Sequence, residues 1–332
     1  MKRVLSLSLA AMVALAGMSL ASCSKPSVPQ GPTLKIAYSD WPGWVAWDVT
    51  QAKGFFKKEG VNVKLIWFDY GPSMDAFSAG KVDAVCVTNG DALVTSASGA
   101  KNVEILLNDY SNGNDMIIAK PGINSVKDLK GKKIGVEIGL VDHLLLLKAL
   151  QMNGLSAKDV TLVNMHTDQA AQVFASSGVD AVAAWQPNAG QALQAVPGSK
   201  AIFTSADAPG LIYDTLAVNP ESLAKYPDAW KKVVKAWYET VNYIEDPAHK
   251  TEVINIMSAR DNLPPAQYAA FMKGTHLLTL PEALKAFTPG EGLDSLYGSS
   301  AIVNQFNVDN KVYNTPQDIQ ANIDPKLIES LK

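Results

Sequence analysis

The sequence predicts an α/β fold of two lobes, the second inserted into the first, with a ligand site in the cleft between them. Three observations carry that reading. From Leu34 onward short apolar runs alternate with helical segments, the pattern of βαβ units with parallel pairing and right-handed crossovers. A second series of such units starts at Lys133. Tyr213-Asp214-Thr215-Leu216-Ala217-Val218 then reads as a strand that returns to the first series. A length of 332 residues accommodates both lobes. The two crossovers, expected near 117–121 and 213–219, would serve as hinges for closure around a ligand. The lobes are expected to span 34–117 plus 217–332 and 118–216.

The elements follow in order. A strand at 34–38 leads into a helix at 45–58 that Gly60 ends, and 61–68 is the next strand. Asp69-Tyr70-Gly71-Pro72 is a turn before a helix at 73–79, with Ser73 as its cap. A strand at 81–87, the turn Thr88-Asn89-Gly90-Asp91, a helix from Ala92 and a strand at 103–107 continue the series. An apolar run at 114–120 precedes the second lobe. That lobe reads as a strand at 133–136, a turn at 137–142 and a helix at 142–152, then strands at 160–163 and 179–184 around a helix at 168–176. Beyond Pro220 the chain reads as helical (221–244, 247–259, 264–272 and 281–286), without strands. Trp230, Trp237, Tyr238 and Tyr243 recur there at near-helical spacing and are expected in the core.

Residues 1–23 stand outside the fold. Lys2 and Arg3 precede an apolar stretch, Val4 to Leu20, that Leu20-Ala21-Ser22-Cys23 closes. This is an export signal. It resembles the lipobox of bacterial lipoproteins, which implies cleavage before Cys23 and lipidation of its thiol. Residues 24–33 read as a flexible tether. The only other cysteine, Cys86, lies in the apolar run Ala84-Val85-Cys86-Val87 and is expected as a buried free thiol, so no disulfide framework forms. A formal charge of −3 and the lack of a basic stripe exclude general nucleic-acid binding.

The candidate site centres on Ser39-Asp40-Trp41-Pro42-Gly43-Trp44-Val45-Ala46-Trp47, a strand-to-helix turn with one carboxylate and three tryptophans. In open α/β sheets such turns hold ligands. Trp47, on the helix itself, is expected in the core. Every strand-end turn of the first series carries an acid: Asp40, Asp69 and Asp91. Glu137 and Asp142 flank the corresponding turn of the second lobe, and Asp214 lies on the returning strand. Beyond the export signal the one arginine is Arg260, far from these turns. Clustered acids repel one another unless a cation offsets them. Aromatic faces at Trp41, Trp44, Tyr70 and Trp185 add cation–π attraction of about 1–2 kcal/mol when desolvated. Asn89 and Gln186, in the flanking turns, complete the candidate set. A planar guanidinium or amidinium fits such a cage. The competing reading is that the three aspartates cap helices. His143, His166, His249 and His276 are scattered, and neither a nucleophile–histidine arrangement nor a glycine-rich phosphate loop is present. No cofactor, metal or catalysis is expected.

Five segments carry a family resemblance: Gln51-Ala52-Lys53-Gly54-Phe55-Phe56-Lys57-Lys58-Glu59-Gly60-Val61, Ala79-Gly80-Lys81-Val82-Asp83-Ala84, Asp128-Leu129-Lys130-Gly131-Lys132-Lys133-Ile134-Gly135-Val136, Gly154-Leu155-Ser156-Ala157-Lys158-Asp159-Val160, and Val179-Asp180-Ala181-Val182-Ala183-Ala184-Trp185-Gln186-Pro187. In this order and spacing they resemble the solute-binding proteins of bacterial ABC importers, in the nitrate/taurine/aliphatic-sulfonate group. The resemblance implies a type II periplasmic-binding-protein fold, a small-molecule solute between the lobes, permease and ATPase partners, and a monomer held at the membrane by its lipid in the periplasm or at the cell surface. The Asp40–Trp47 turn, with Trp67-Phe68-Asp69-Tyr70 and Thr88-Asn89-Gly90-Asp91-Ala92-Leu93, resembles a urea-carboxylase-associated subgroup, which implies guanidine or a urea-like solute. The alternatives are an anion receptor for taurine, sulfonate or nitrate, and a receptor for a thiamin-precursor pyrimidine. A thiamin-pyrimidine synthase-like enzyme is opposed by the export signal and by the lack of that enzyme's histidine- and cysteine-rich motif.

Overall fold

The chain was described as a computed structural model over residues 31–332; the export signal, Cys23 and the first part of the tether lie outside the described residues. β1 (Thr33–Tyr38) ends in buried residues. Pro42 opens α1 (Pro42–Ala52), at a position where its missing N–H has no helical partner to lose. Gly54 adopts φ 71°, which breaks the segment expected as one helix into α1 and α2 (Phe55–Glu59). β2 (Asn62–Trp67), α3 (Tyr70–Ser78), β3 (Ala84–Thr88), α4 (Asn89–Ala97) and β4 (Val103–Ser111) follow. α3 begins three residues before the expected cap, and Ser73 Oγ instead donates to the Tyr70 carbonyl at 2.6 Å. Thr88 caps α4, its Oγ1 accepting from Asp91 N at 3.1 Å.

The second sheet starts with β5 (Asp115–Ala119) and continues through β6 (Lys133–Val136), α5 (Val141–Met152), β7 (Thr161–Asn164), α6 (Ala170–Ala175), β8 (Ala181–Trp185), α7 (Asn188–Ala195) and β9 (Lys200–Thr204). β10 (Tyr213–Val218) returns to the first sheet. The chain therefore passes between sheets across 112–114 and 205–212, a few residues upstream of the expected hinges. α8 (Pro220–Lys225), α9 (Pro227–Glu245), α10 (Lys250–Arg260), α11 (Pro265–Phe271), β11 (Thr275–Leu277), α12 (Leu280–Ala286) and α13 (Leu296–Asp309) complete the principal elements.

The first sheet has the order β11-β4-β10-β3-β1-β2 and the second β7-β6-β8-β5-β9. Parallel pairing holds for β1 with β2 and β3, and for β6 with β7 and β8. The expectation of parallel pairing throughout is corrected at the crossings. β10 runs antiparallel to β3 and β4, and β5 antiparallel to β8 and β9. A strand that enters a sheet from the other lobe has no crossover helix to turn it parallel. The helical tail also contains a strand, β11, which pairs with the end of β4 through Thr275 and Ser111. At three residues it is too short to show a period of two.

α1 packs on α9 and α10. Trp47 lies at its centre, fully buried, with its ring centroid 4.4 Å from that of Trp237. Trp230 and Tyr238 are buried as expected, while Tyr243 stays half-buried. Cys86 is a buried free thiol. Among the described residues no helix is long and apolar enough to cross a membrane.

Candidate ligand-binding site

A narrow cavity of about 10 Å³, room for about one water, lies where the two sheets meet. Trp41, Trp44, Tyr70 and Thr88 line it from the first lobe, Asp115, Val141 and Trp185 from the second, and Ile212 and Asp214 from the returning segment. The larger surface hollows around Tyr226, Tyr213 and Ile254 do not include these strand-end turns. The walls are aromatic. Trp44 stacks on Tyr70 at 5.3 Å between centroids with 25° between planes, and Trp185 meets Tyr70 edge-on at 5.2 Å. Trp44 Nε1 is buried without a partner.

The floor is acidic. Asp115 opens β5 directly after one crossing, and Asp214 lies at the start of β10 directly after the other. Each is at most 2% exposed and keeps one carboxyl oxygen unpartnered. A register shift between Asp214 and Thr215 marks a bulge, the kind of irregularity that re-aims a side chain. Asp109 is the cross-strand partner of Asp214. It accepts Trp41 Nε1 at 2.9 Å, which turns the Trp41 ring into the cleft. A Cβ at Gly43 would stand 1.8 Å from Asp109 Oδ2, so the first turn of α1 approaches this carboxylate as closely as it does only because residue 43 is glycine. Burial pushes the carboxyls of Asp109 and Asp115 up to about 7 and that of Asp214 well above its ordinary value. No lysine, arginine or histidine lines the cavity. Arg260 lies outside it, over the rings of Tyr38 and Trp67 and beside Asp48.

Of the twelve predicted ligand residues, the structure brings Trp41, Trp44, Tyr70, Trp185 and Asp214 into the cavity wall. The rest surround it or lie apart. Asp40 spans the cleft, accepting Trp185 Nε1 at 3.2 Å and Asn188 Nδ2 at 2.8 Å. Burial raises its carboxyl, and those two bonds oppose the rise. Asp91 lies behind Tyr70, whose hydroxyl donates to it at 2.6 Å, and accepts Val141 N from the other lobe at 3.3 Å. Burial brings it to about 7 against those bonds. Glu137 turns into its own lobe, accepting Thr167 N at 3.2 Å and Oγ1 at 3.0 Å and meeting His166 Nδ1 at 3.0 Å. Asp142 is fully buried beside Thr167 Oγ1 at 3.4 Å. Asn89 is structural: its amide donates to Ser299 and Ser300, and its oxygen accepts Tyr213 N at 3.2 Å. Gln186 Oε1 accepts Gly190 N at 3.0 Å. Asp69 is exposed at the start of α3 and makes no capping bond. Asp69 thus holds the N-cap position of α3 without a side-chain bond, Asp91 lies in the first turn of α4 behind the cap Thr88, and Asp40 precedes the N-cap Trp41 of α1. His143 Nδ1 accepts Gly139 N at 3.2 Å, a structural role.

Sequence reasoning passed over Asp109 and Asp115. Both are acids inside apolar runs, Leu106-Leu107-Asn108-Asp109 and Asp115-Met116-Ile117-Ile118, and that contrast was the available signal.

Two α/β lobes closed on a small polar-floored cavity define a solute-binding protein of the periplasmic type. More particularly, the chain belongs to the NMT1/THI5-like family, whose model matches residues 44–249. A Brucella abortus (strain 2308) protein described as a candidate binding protein is 30% identical over 232 residues, covering 68% of this chain and 72% of that one. A Bacillus subtilis (strain 168) protein described as a candidate aliphatic-sulfonates-binding protein is 32% identical over 146 residues, or 42% of this chain and 44% of the relative. The alkanesulfonate-binding protein SsuA from Xanthomonas axonopodis pv. citri, bound to MOPS, shares the fold with a TM-score of 0.72 at 17% identity, covering 89% of this chain and 99% of that one. None of these singles out the urea-carboxylase-associated subgroup.

Proposed function

We propose that this chain is the solute-binding receptor of an ABC importer and that its solute is a small, planar, nitrogen-rich cation of the guanidinium or amidinium type. The observation that carries the ligand class is the pair Asp115 and Asp214. Two buried carboxylates line an aromatic-walled cavity with an oxygen unpartnered on each, and no basic side chain among the described residues lines it with them. A flat cation with several N–H groups satisfies both carboxylates and stacks on Trp44 or Tyr70. Because Asp115 belongs to the second sheet and Asp214 to the first, one bridging solute draws the lobes together. This class agrees with the subgroup resemblance of the Asp40–Trp47 turn. We further propose that Cys23 carries the lipid that holds the receptor at the membrane. A Cys23→Ala variant is then recovered in the soluble extracytoplasmic fraction, and retention at the membrane would refute the anchor.

A second reading, an anion receptor, is favoured by the ligands named for the sulfonate-binding relatives. It has to place a sulfonate or nitrate against Asp115 and Asp214. Calorimetry against guanidinium chloride, urea, taurine, nitrate and an aminopyrimidine separates the readings. Saturable binding of guanidinium supports the cation. Tight binding of taurine or nitrate with silence toward guanidinium overturns it.

A further inference from the structure

Asp109 and Asp214 stand directly opposite each other on the antiparallel strands β4 and β10, at 0% and 1% exposure. Side chains at such positions have Cβ atoms about 4.5–5.5 Å apart, and like charges there destabilise the pair. Two carboxyls this close, in a site without a basic neighbour, share one proton. Trp41 Nε1 donates to Asp109 Oδ1 at 2.9 Å and so stabilises the charged form of Asp109. Asp214 is thereby the partner that holds the proton, with its Oδ2 unpartnered and Asp214 itself lining the cavity. The other titratable groups around the pair are Asp115 from β5, Asp91 from α4, Asp142 and His143 from α5, and Glu137 after β6. Four of these are acids, and burial lowers His143, which keeps it neutral. None supplies a positive charge.

We propose that the ligand-free site stores a proton on the Asp109–Asp214 pair and that a monovalent cationic solute displaces it, making capture a one-for-one cation–proton exchange. The inference rests on the cationic-solute reading. In the exchange the Asp214 O–H bond breaks, the proton passes to water, and the solute takes over neutralisation of the carboxylate. The charge within the cavity is the same before and after. Burial raises both carboxyls, Asp109 to about 7 and Asp214 well above its ordinary value, so the pair keeps a proton at pH values where a free carboxyl has lost it. Acid then weakens capture and favours release.

The test is calorimetry of the mature protein with guanidinium chloride, between about pH 6 and pH 8, in buffers of different ionisation heat. Guanidinium keeps its own proton throughout this range, so any proton released comes from the protein. The expected result is release of one proton from the pair near the lower end, with Asp115 adding to it, and binding at least about tenfold tighter at the upper end. Guanidinium binding without proton release, at an affinity unchanged with pH, overturns the exchange while leaving the proposed function standing. No guanidinium binding at all overturns both. A readout independent of any variant is the infrared difference spectrum: guanidinium removes a protonated carboxylic C=O band, and no loss of such a band on adding guanidinium refutes the stored proton. Asp214→Asn is expected to remove the Asp214 part of that difference band and to lower the number of protons released on guanidinium binding by about one.

Discussion

Trp185 Nε1 donates to Asp40 Oδ1 at 3.2 Å, tying the end of β8 in one lobe to the turn after β1 in the other. Asn188 Nδ2 reinforces the tie on the second oxygen at 2.8 Å. Asp40 therefore bonds across the cleft, and in the proposed receptor its part is to hold the lobes together. Asn188→Ala should weaken guanidinium binding about 2- to 10-fold, the worth of one hydrogen bond, chiefly through faster dissociation. Stopped-flow tryptophan fluorescence measures the rate. An unchanged dissociation rate would show that the tie does not hold the lobes closed.

Asp115 supplies a pH signature. Its folded carboxyl is pushed up to about 7, above its ordinary unfolded value, so the folded chain binds more protons than the unfolded one between those values. Stability of the ligand-free protein is then greater toward the acidic end of that window and is lost as pH rises through about 7. Asp115→Asn removes this loss. Its ligand-free Tm at about pH 8 should exceed that of the parent by at least about 2 °C, while guanidinium affinity falls at least about tenfold. A lower Tm in the variant at that pH would contradict the raised carboxyl.

Gly43→Ala tests the approach of α1 to the acid floor. The added Cβ would lie 1.8 Å from Asp109 Oδ2, so helix or carboxylate must move. The cost should be about 1–3 kcal/mol by denaturant titration. Solute affinity should fall as well, because Trp41 is held by Asp109. Parental stability with parental affinity would show that the contact is slack.

Tyr70→Phe removes a hydroxyl that donates to Asp91 Oδ2 at 2.6 Å and accepts Thr88 N at 3.1 Å. The stacking ring remains. The loss should be about 1–3 kcal/mol of stability at neutral pH from under-satisfied buried groups. Binding should change less than stability, because the face presented to the cavity is conserved. A large loss of affinity at unchanged stability would instead place the hydroxyl on the solute.

Much of the fold was legible because it rests on local signals. Strands at Lys133–Val136 and Tyr213–Val218 have the expected bounds, since each is a short apolar run with clear flanking residues. The break at Gly54 was written in the residue type but hidden by an otherwise continuous helical pattern. α7, β9, β11 and α13 went unassigned because their burial comes from partners distant in sequence. α13, for instance, packs on α4 and meets Asn89 through Ser299 and Ser300. For the site, the character of the walls was legible: Trp41, Trp44, Tyr70 and Trp185 are recognisable as aromatic residues at strand-end turns.

The sequence by itself determined a two-lobed α/β chain, a family, and a cleft rich in acids and poor in arginine. Those properties follow from periodicity, motif order and composition, which need no contacts to be read. Only the tertiary structure decided which acids line the cavity. Capping, cross-lobe bonding and solute contact all use the same carboxyl group at the same kind of turn, and the choice among them depends on what the opposite lobe presents. Closure of the lobes turned Asp40 toward Trp185 and Asn188, set Asp91 behind Tyr70, left Asp69 in solvent, and brought Asp115 to the cavity that Asp214 lines.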